Sequence, residues 1–387
     1  MPITVSGVQY SGIWTMQQVN SAISAGTWPQ QPSNLYVWGL NSNGQLGLSN
    51  TTNYSVPKQT YSSTNWSFLA SNNTLNGGGT ATSGIKTDGT LWSWGSNSSG
   101  ELGLGNRTSY SSPKQVGSLT NWSKIYEGQS CSIAIKTDGT LWSWGDNSSG
   151  QLGLGNRTNY SSPVQVGSLT AWASGGAGLD ASYGIKTDGT LWSWGGNASG
   201  QLGLNNRTSY SSPKQVGSLT NWSVITAGYQ TAIAVKTDGT LWSWGFNTYA
   251  SLGTNNLTFY SSPKQVGSLT NWSTVSSGAL FSMSIKTNGT LWGWGYNGDG
   301  RIGDNSTITR SSPVQVGALT TWLKISAGYN ASMSVKTDGT LWTWGNNASG
   351  QLGLGNTTYY SSPKQLGAAT NWSTPYGGNF YALATVV

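Results

Sequence analysis

The stretch NWSVITAGYQTAIAVKTDGTLWSWGFN, residues 221–247, decides the fold. Within it the Asp238-Gly239 pair stands between AIAVK and TLWSW, and Asp-Gly between two such runs is the strongest short-range signal for a β-hairpin. Both residues are expected to take the positive φ values of a tight primed turn. In TLWSW the alternation places Trp242 and Trp244 on one face, Leu241 and Ser243 on the other. NWSVIT supplies a strand before the hairpin. After a Gly- and Asn-rich loop, YSSPKQVGSLT (260–270) supplies a fourth, and Pro263 is expected to open it, because a strand start tolerates a missing N–H.

The same pattern recurs along the chain. Trp94, Trp144, Trp194, Trp244, Trp294 and Trp344 are spaced by 50 residues, each followed by Gly, and Trp38 begins the series. A period of this size means a propeller or a solenoid, and four strands per period make one propeller blade. No amphipathic helix fits within the period. Six units carry Lys-Thr-Asp-Gly-Thr or Lys-Thr-Asn-Gly-Thr, whereas the seventh, NWSTPYGGNFYALATVV (371–387), stops where its hairpin turn should come. NLYVWG (34–39) and YSVPKQT (54–60) supply the missing strands from the other end. The expected fold is therefore all-β: a seven-bladed β-propeller over residues 34–387, closed by N- and C-terminal strands, with residues 1–33 as a separate docking segment. Closure removes the free sheet edge that invites aggregation.

The run WGxNxxGQLGLGN, preceded by KTDGTLW, resembles the repeat of the regulator of chromosome condensation family over residues 34–387. That resemblance implies a seven-bladed propeller. For function it implies a cellular interaction protein contacting a small GTPase or chromatin. Two features stand against that role: the tight 50-residue period leaves no room for an insertion, and the acidic and His residues of an exchange face are missing.

Composition excludes much chemistry. Of 387 residues 55 are Gly and 22 are Trp, with one Cys and no His, and 29 are charged (18 basic plus 11 acidic), far below the roughly 25% of an average chain. Without His there is no Ser-His-Asp arrangement and no His-ligated metal. Cys131 is expected to be a buried structural thiol. Asp299, Asp304 and neighbouring Asn residues lack calcium-loop spacing. No repeat pairs carboxylates or sets a nucleophile beside a base, so no enzyme, cofactor or metal is expected. No stretch is long and apolar enough for membrane insertion, and no charged leader marks a signal peptide. The net charge of +7 is spread at blade spacing, which does not favour nucleic acid.

Residues 12–29, GIWTMQQVNSAISAGTWP, read as one short helical segment. Thr15 and Gln18 match a capping box, Met16, Val19 and Ile23 share a face, and Gly26 with Pro29 would stop it. So short a helix must dock, through Ile13, Trp14, Met16, Val19, Ile23 and Trp28. Gly12, Ile13, Trp14, Thr15, Met16, Gly26, Trp28 and Pro29 make the segment similar to an N-terminal element of tailed-phage virion and tail proteins. This resemblance implies a virion location, docking to other virion proteins, and an outward-facing propeller.

Divergence between near-identical units marks where the scaffold does not dictate the residue. It concentrates after Trp-Gly (Leu40, Ser96, Asp146, Gly196, Phe246, Tyr296, Asn346) and before the hairpin (Tyr229, Leu280, Phe281, Tyr329, Phe380). Antiparallel topology brings both loops to the face opposite the Asp-Gly turns. FNTYASLGTNNLTFY (246–260) adds Phe246, Tyr249 and Phe259; YNGDGRIGDNSTITR (296–310) adds Tyr296, Asp299, Arg301 and Asp304. Aromatics beside polar groups suit a glycan platform. The expected function is thus a non-enzymatic virion structural or appendage protein (tail, fibre or decoration) whose variable face either binds a host-surface glycan or simply decorates the particle. The alternatives are the cellular interaction propeller and a soluble lectin. All but two of the tryptophans, Trp14 and Trp28, repeat at fixed strand parity and are expected in the core.

Overall fold

The computed structural model describes residues 4–5, 8–9, 34–60, 65–71 and 80–386. Thr4–Val5 pairs antiparallel with Val8–Gln9, and the expected helix at 12–29 with its six docking residues lies outside the described residues. Seven antiparallel sheets of four strands form the blades of a β-propeller. In blade four the strands are Trp222–Ala227, Thr231–Lys236, Leu241–Gly245 and Tyr260–Gln265, from the axis outward. Blades one to three, five and six repeat this order. Blade seven takes Trp372–Gly377 and Tyr381–Val386 from the C-terminal end and Asn34–Gly39 and Tyr54–Gln59 from the N-terminal end. Asn34 pairs with Val386 and Gly39 with Tyr381, a continuous register across the junction.

The hairpin turn differs in detail from the sequence expectation. Gly239 has φ +76, and Asp238 is not in the left-handed region. Gly239 N–H donates to Lys236 O at 2.9 Å and Lys236 N–H to Thr240 O at 3.0 Å. This is the three-residue loop with a glycine bulge rather than a two-residue primed turn. Asp238 acts through its side chain: Oδ1 accepts from Thr240 N–H at 2.9 Å and from Thr240 Oγ1 at 2.6 Å. Thr240 Oγ1 in turn accepts from Trp242 Nε1 at 2.8 Å. Asp238→Ala should therefore lower stability by about 1 kcal/mol, read as a fall in the urea midpoint at unchanged slope. Asp238→Asn should be nearly neutral, since Asn288 makes the same pair of bonds in blade five.

Pro263 likewise sits inside the outermost strand rather than opening it. That strand is a sheet edge, so no ladder bond is lost. The core is inter-blade, as the Trp repetition implies. Trp244 is fully buried and its Nε1 donates to Gln201 O of blade three at 2.8 Å. A Cβ on Gly203 would lie 2.7 Å from that nitrogen, so only glycine lets the preceding loop close over the indole. The buried Asn247 builds the long loop: Oδ1 accepts from Leu252 N–H at 3.0 Å, and Nδ2 donates to Asn256 O and Thr258 O at 2.9 and 3.1 Å. The repeated Trp, Gly and Asn are thus scaffold.

Candidate functional site

Each blade joins its two variable loops by a backbone bond. Phe246 N–H donates to Gln230 O at 2.9 Å, Tyr296 N–H to Leu280 O at 3.0 Å, and Leu40 N–H to Phe380 O at 2.9 Å. The two loops therefore share one face, opposite the Asp-Gly turns.

On that face the aromatic residues form two contacting groups, one over blades four and five and one over blades six and seven, and Arg301 links them into one track. Phe246 contacts Tyr229 at 5.9 Å between ring centroids, Phe259 at 4.9 Å and Tyr249 at 6.1 Å. Tyr249, 39% exposed, meets Tyr296 of blade five edge-on at 5.6 Å. The Arg301 guanidinium lies 4.8 Å from the centre of the Tyr296 ring and donates to Tyr329 O of blade six at 3.4 Å. Tyr329 then contacts Phe380 of blade seven at 4.9 Å. Phe380 holds φ +60, a left-handed conformation costing a bulky residue about 1 kcal/mol or more, and it stays half-exposed.

Several expected site residues occupy other places. Phe281 is 1% exposed: it is the first residue of the second strand of blade five and points into the core, where the Arg301 guanidinium lies 5.7 Å from its ring. Only its neighbour Leu280 remains in the turn. Arg301 is buried beneath the loops, because it occupies the position of Gln151 and Gln201, whose side chains fold back onto their own loops at Ser149 N–H and Ser199 N–H. It pairs with Asp299, and burial pulls its pKa down while Asp299 opposes that shift. Arg301 is thus a support for Tyr296 and Tyr329 rather than a surface contact. Asp304 joins neither: it bonds Arg310 at 2.6 Å and Asn297 Nδ2 at 3.0 Å within its own loop. Burial also raises the Tyr329 phenol.

The opposite face carries a repeated lysine arrangement that sequence reading treated as diffuse charge. Lys236 lies 3.8 Å from the Trp242 ring centre and 4.8 Å from that of Trp222, and burial lowers its pKa. Lys136, Lys286 and Lys336 repeat this. These ammonium groups are held by cation–π contact and are poor candidates for phosphate binding. Cys131 is buried, with its thiol pushed up by burial, which leaves it inert.

The architecture is shared with several solved structures. Prp20p of Saccharomyces cerevisiae, studied for its binding to Gsp1p and histones, is 18% identical with a TM-score of 0.79 over 93% of this chain and 92% of that one. Human WBSCR16 is 19% identical, TM-score 0.81, over 92% and 99%. Yeast RCC1 (Prp20) bound to Kap60 is 19% identical, TM-score 0.81, over 100% and 96%. At these identities the likeness concerns the fold. The regulator of chromosome condensation (RCC1) repeat matches residues 33–68, 88–135, 138–178, 188–235, 238–285, 288–335 and 338–383, and the chain belongs to that repeat family.

Proposed function

We propose that the protein is a non-enzymatic binding propeller that engages a macromolecular partner through the aromatic track of its variable-loop face. The observation that carries this reading is the row of Tyr229, Phe246, Tyr249 and Tyr296, linked through Arg301 to Tyr329 and Phe380, over four blades whose scaffold residues are otherwise near copies. Large rings with polar tips are the residue types that dominate interface energetics. Binding of Gsp1p and histones by Prp20p supports a protein partner. A basic histone is the poorer of the two for a chain of net charge +7, which favours a small GTPase. The test is biolayer interferometry with Gsp1p against the wild-type chain and against Tyr249→Ala and Tyr296→Ala. Each substitution should weaken binding by about thirtyfold, the roughly 2 kcal/mol scale of one interface hot spot. Binding that ignores both changes would remove the aromatic track from the reading.

A second setting rests on the Gly12–Pro29 pattern that precedes the propeller. There residues 1–33 dock the chain on a phage particle and the same track faces a host glycan. Quantitative mass spectrometry of purified particles separates the two. A fixed ratio to the major capsid protein supports the particle, and absence from particles leaves the cellular partner.

A further inference from the structure

Clefts recur between neighbouring blades at the Asp-Gly-turn end of the ring, away from the aromatic track. The cleft between blades two and three has a volume of about 460 Å³, that between three and four about 340 Å³, and that between seven and one about 250 Å³. These lie at or just under the roughly 300–1,000 Å³ usual for small-ligand sites. In the first, Trp172, Trp192, Leu169 and Pro213 make apolar walls, while Gln165 and Ser212 add an amide and a hydroxyl. Neither of those two side chains has a protein hydrogen-bond partner among the described residues. The second cleft repeats the set with Trp222, Trp242, Leu219, Pro263, Gln215 and Ser262.

The leucines are the informative element. Leu119, Leu169, Leu219, Leu269 and Leu319 are 45%, 49%, 46%, 47% and 49% exposed at one repeated position. A single exposed leucine needs no explanation, but five at one repeated position, of which Leu169 and Leu219 line clefts with tryptophan walls, form a patterned apolar surface. Shared descent of the units does not account for this, because an equally exposed position of the long loop has diverged from Arg107, Arg157 and Arg207 to Leu257, Thr307 and Thr357. Folding does not require the leucines, since much of each side chain lies in water.

We infer that the inter-blade clefts are repeated binding sites for neutral hexopyranose units, so that the ring binds a neutral polysaccharide multivalently. The chemistry matches. A pyranose has an apolar C–H face for the indole and leucine walls, and equatorial hydroxyls for an unpaired amide and hydroxyl. An alkyl chain, with no polar groups, would leave that amide and hydroxyl desolvated. No charged side chain lines the first two clefts, and the Lys186 ammonium beside the first is held 3.8 Å from the Trp192 ring centre, so nothing there selects an anionic sugar. Weak sites repeated around a ring gain affinity through linkage along one polymer.

The test is calorimetric titration of the full chain with neutral hexasaccharides (maltohexaose, cellohexaose, laminarihexaose and mannohexaose) and with their parent polysaccharides. The expected result is more than one site per chain for at least one sugar, with tighter binding of the polymer. The combined Leu119→Asp, Leu169→Asp, Leu219→Asp, Leu269→Asp and Leu319→Asp variant should lose at least tenfold in affinity while keeping its melting profile. If that variant misfolds, Gln165→Ala with Gln215→Ala and Gln265→Ala replaces it, with a loss of about fivefold expected. No binding by any of the sugars overturns the inference, as does a single site per chain. So does sugar binding that survives these changes but is lost with Tyr249→Ala, which would place the sugar on the variable face.

Discussion

Removal of Phe380–Val387 should abolish the cooperative fold and yield oligomers or aggregate. Tyr381–Val386 lies between two other strands of blade seven, paired with Trp372–Gly377 on one side and with Asn34–Gly39 on the other. It buries Tyr381, Ala382, Leu383 and Ala384, and the Tyr381 hydroxyl donates to Ala81 O of blade one at 2.8 Å. Burial of Tyr381 and Leu383 contributes roughly 2–3 kcal/mol each. Their loss, added to two broken ladders, approaches the net stability of about 5–15 kcal/mol typical of a native protein. The cut would also expose Leu35, Val37 and Trp38 on an open strand edge, a template for pairing with another chain. Light scattering after size exclusion, with a far-ultraviolet circular dichroism melt, checks this. A monomeric truncant that melts cooperatively would show that the ring holds without its closure.

That closure was legible in the sequence because a period is a long-range statement: a hairpin missing at one end and a strand pair present at the other leave one solution. The same legibility reached the aromatic track, since antiparallel topology alone sends both loops of a blade to one face. It failed where one residue of register decides. Leu280 and Phe281 are adjacent, yet the turn ends between them, so one is half-exposed and the other is core. It failed for Arg301 because the meaning of that position lies in the backbone-directed side chain of Gln201, which no composition argument shows. It failed at Asp238, where the side chain rather than the backbone makes the turn. The inter-blade clefts were invisible for another reason. Their walls come from two successive units, and the Trp, Leu, Pro and Gln in the first two of them all recur at blade spacing, which reads as scaffold.

The distinction between the two faces follows from the same physics. On the variable face the blades differ, and only blades four to seven supply the rings, so a partner there meets one asymmetric surface. At the Asp-Gly end the blades agree, so a ligand there meets the same surface several times. Multivalency belongs to the second arrangement and single-partner specificity to the first.

Glu127→Gln should stabilise the protein at pH 8 by about 2–3 kcal/mol and remove a fall in stability between pH 5 and pH 8. Glu127 is buried in blade two at a position held by Ala177, Ala227 and Ala327 in other blades. Its Oε2 accepts from Ser132 Oγ at 2.7 Å, and no cation pairs with it among the described residues. Burial, opposed by bonds to Ser83 and Ser132 and reinforced by the nearby Glu101 charge, pushes its carboxyl up to about 7 from the ordinary 4.5. An acid with a raised folded pKa binds more protons in the native state than in the unfolded state over that interval. Stability is therefore greatest below pH 4.5, falls as pH rises toward 7, and is level above it. A shift of this size corresponds to about 3 kcal/mol. Glu101 and Asp180, also raised by burial, act in the same direction. The turn aspartates Asp138, Asp188, Asp238 and Asp338, lowered chiefly by their Thr hydroxyl bonds, act with opposite sign but only below pH 4. Tyr126 and Tyr376, both raised to about 12 by burial, titrate above the window. With an unfolding entropy of about 2.1 cal/mol/K per residue, the expected gain in melting temperature at pH 8 is about 2–4 °C. Calorimetric melts of both proteins from pH 5 to pH 8 decide it, and parallel slopes for wild type and variant would show that Glu127 is hydrated or paired in solution.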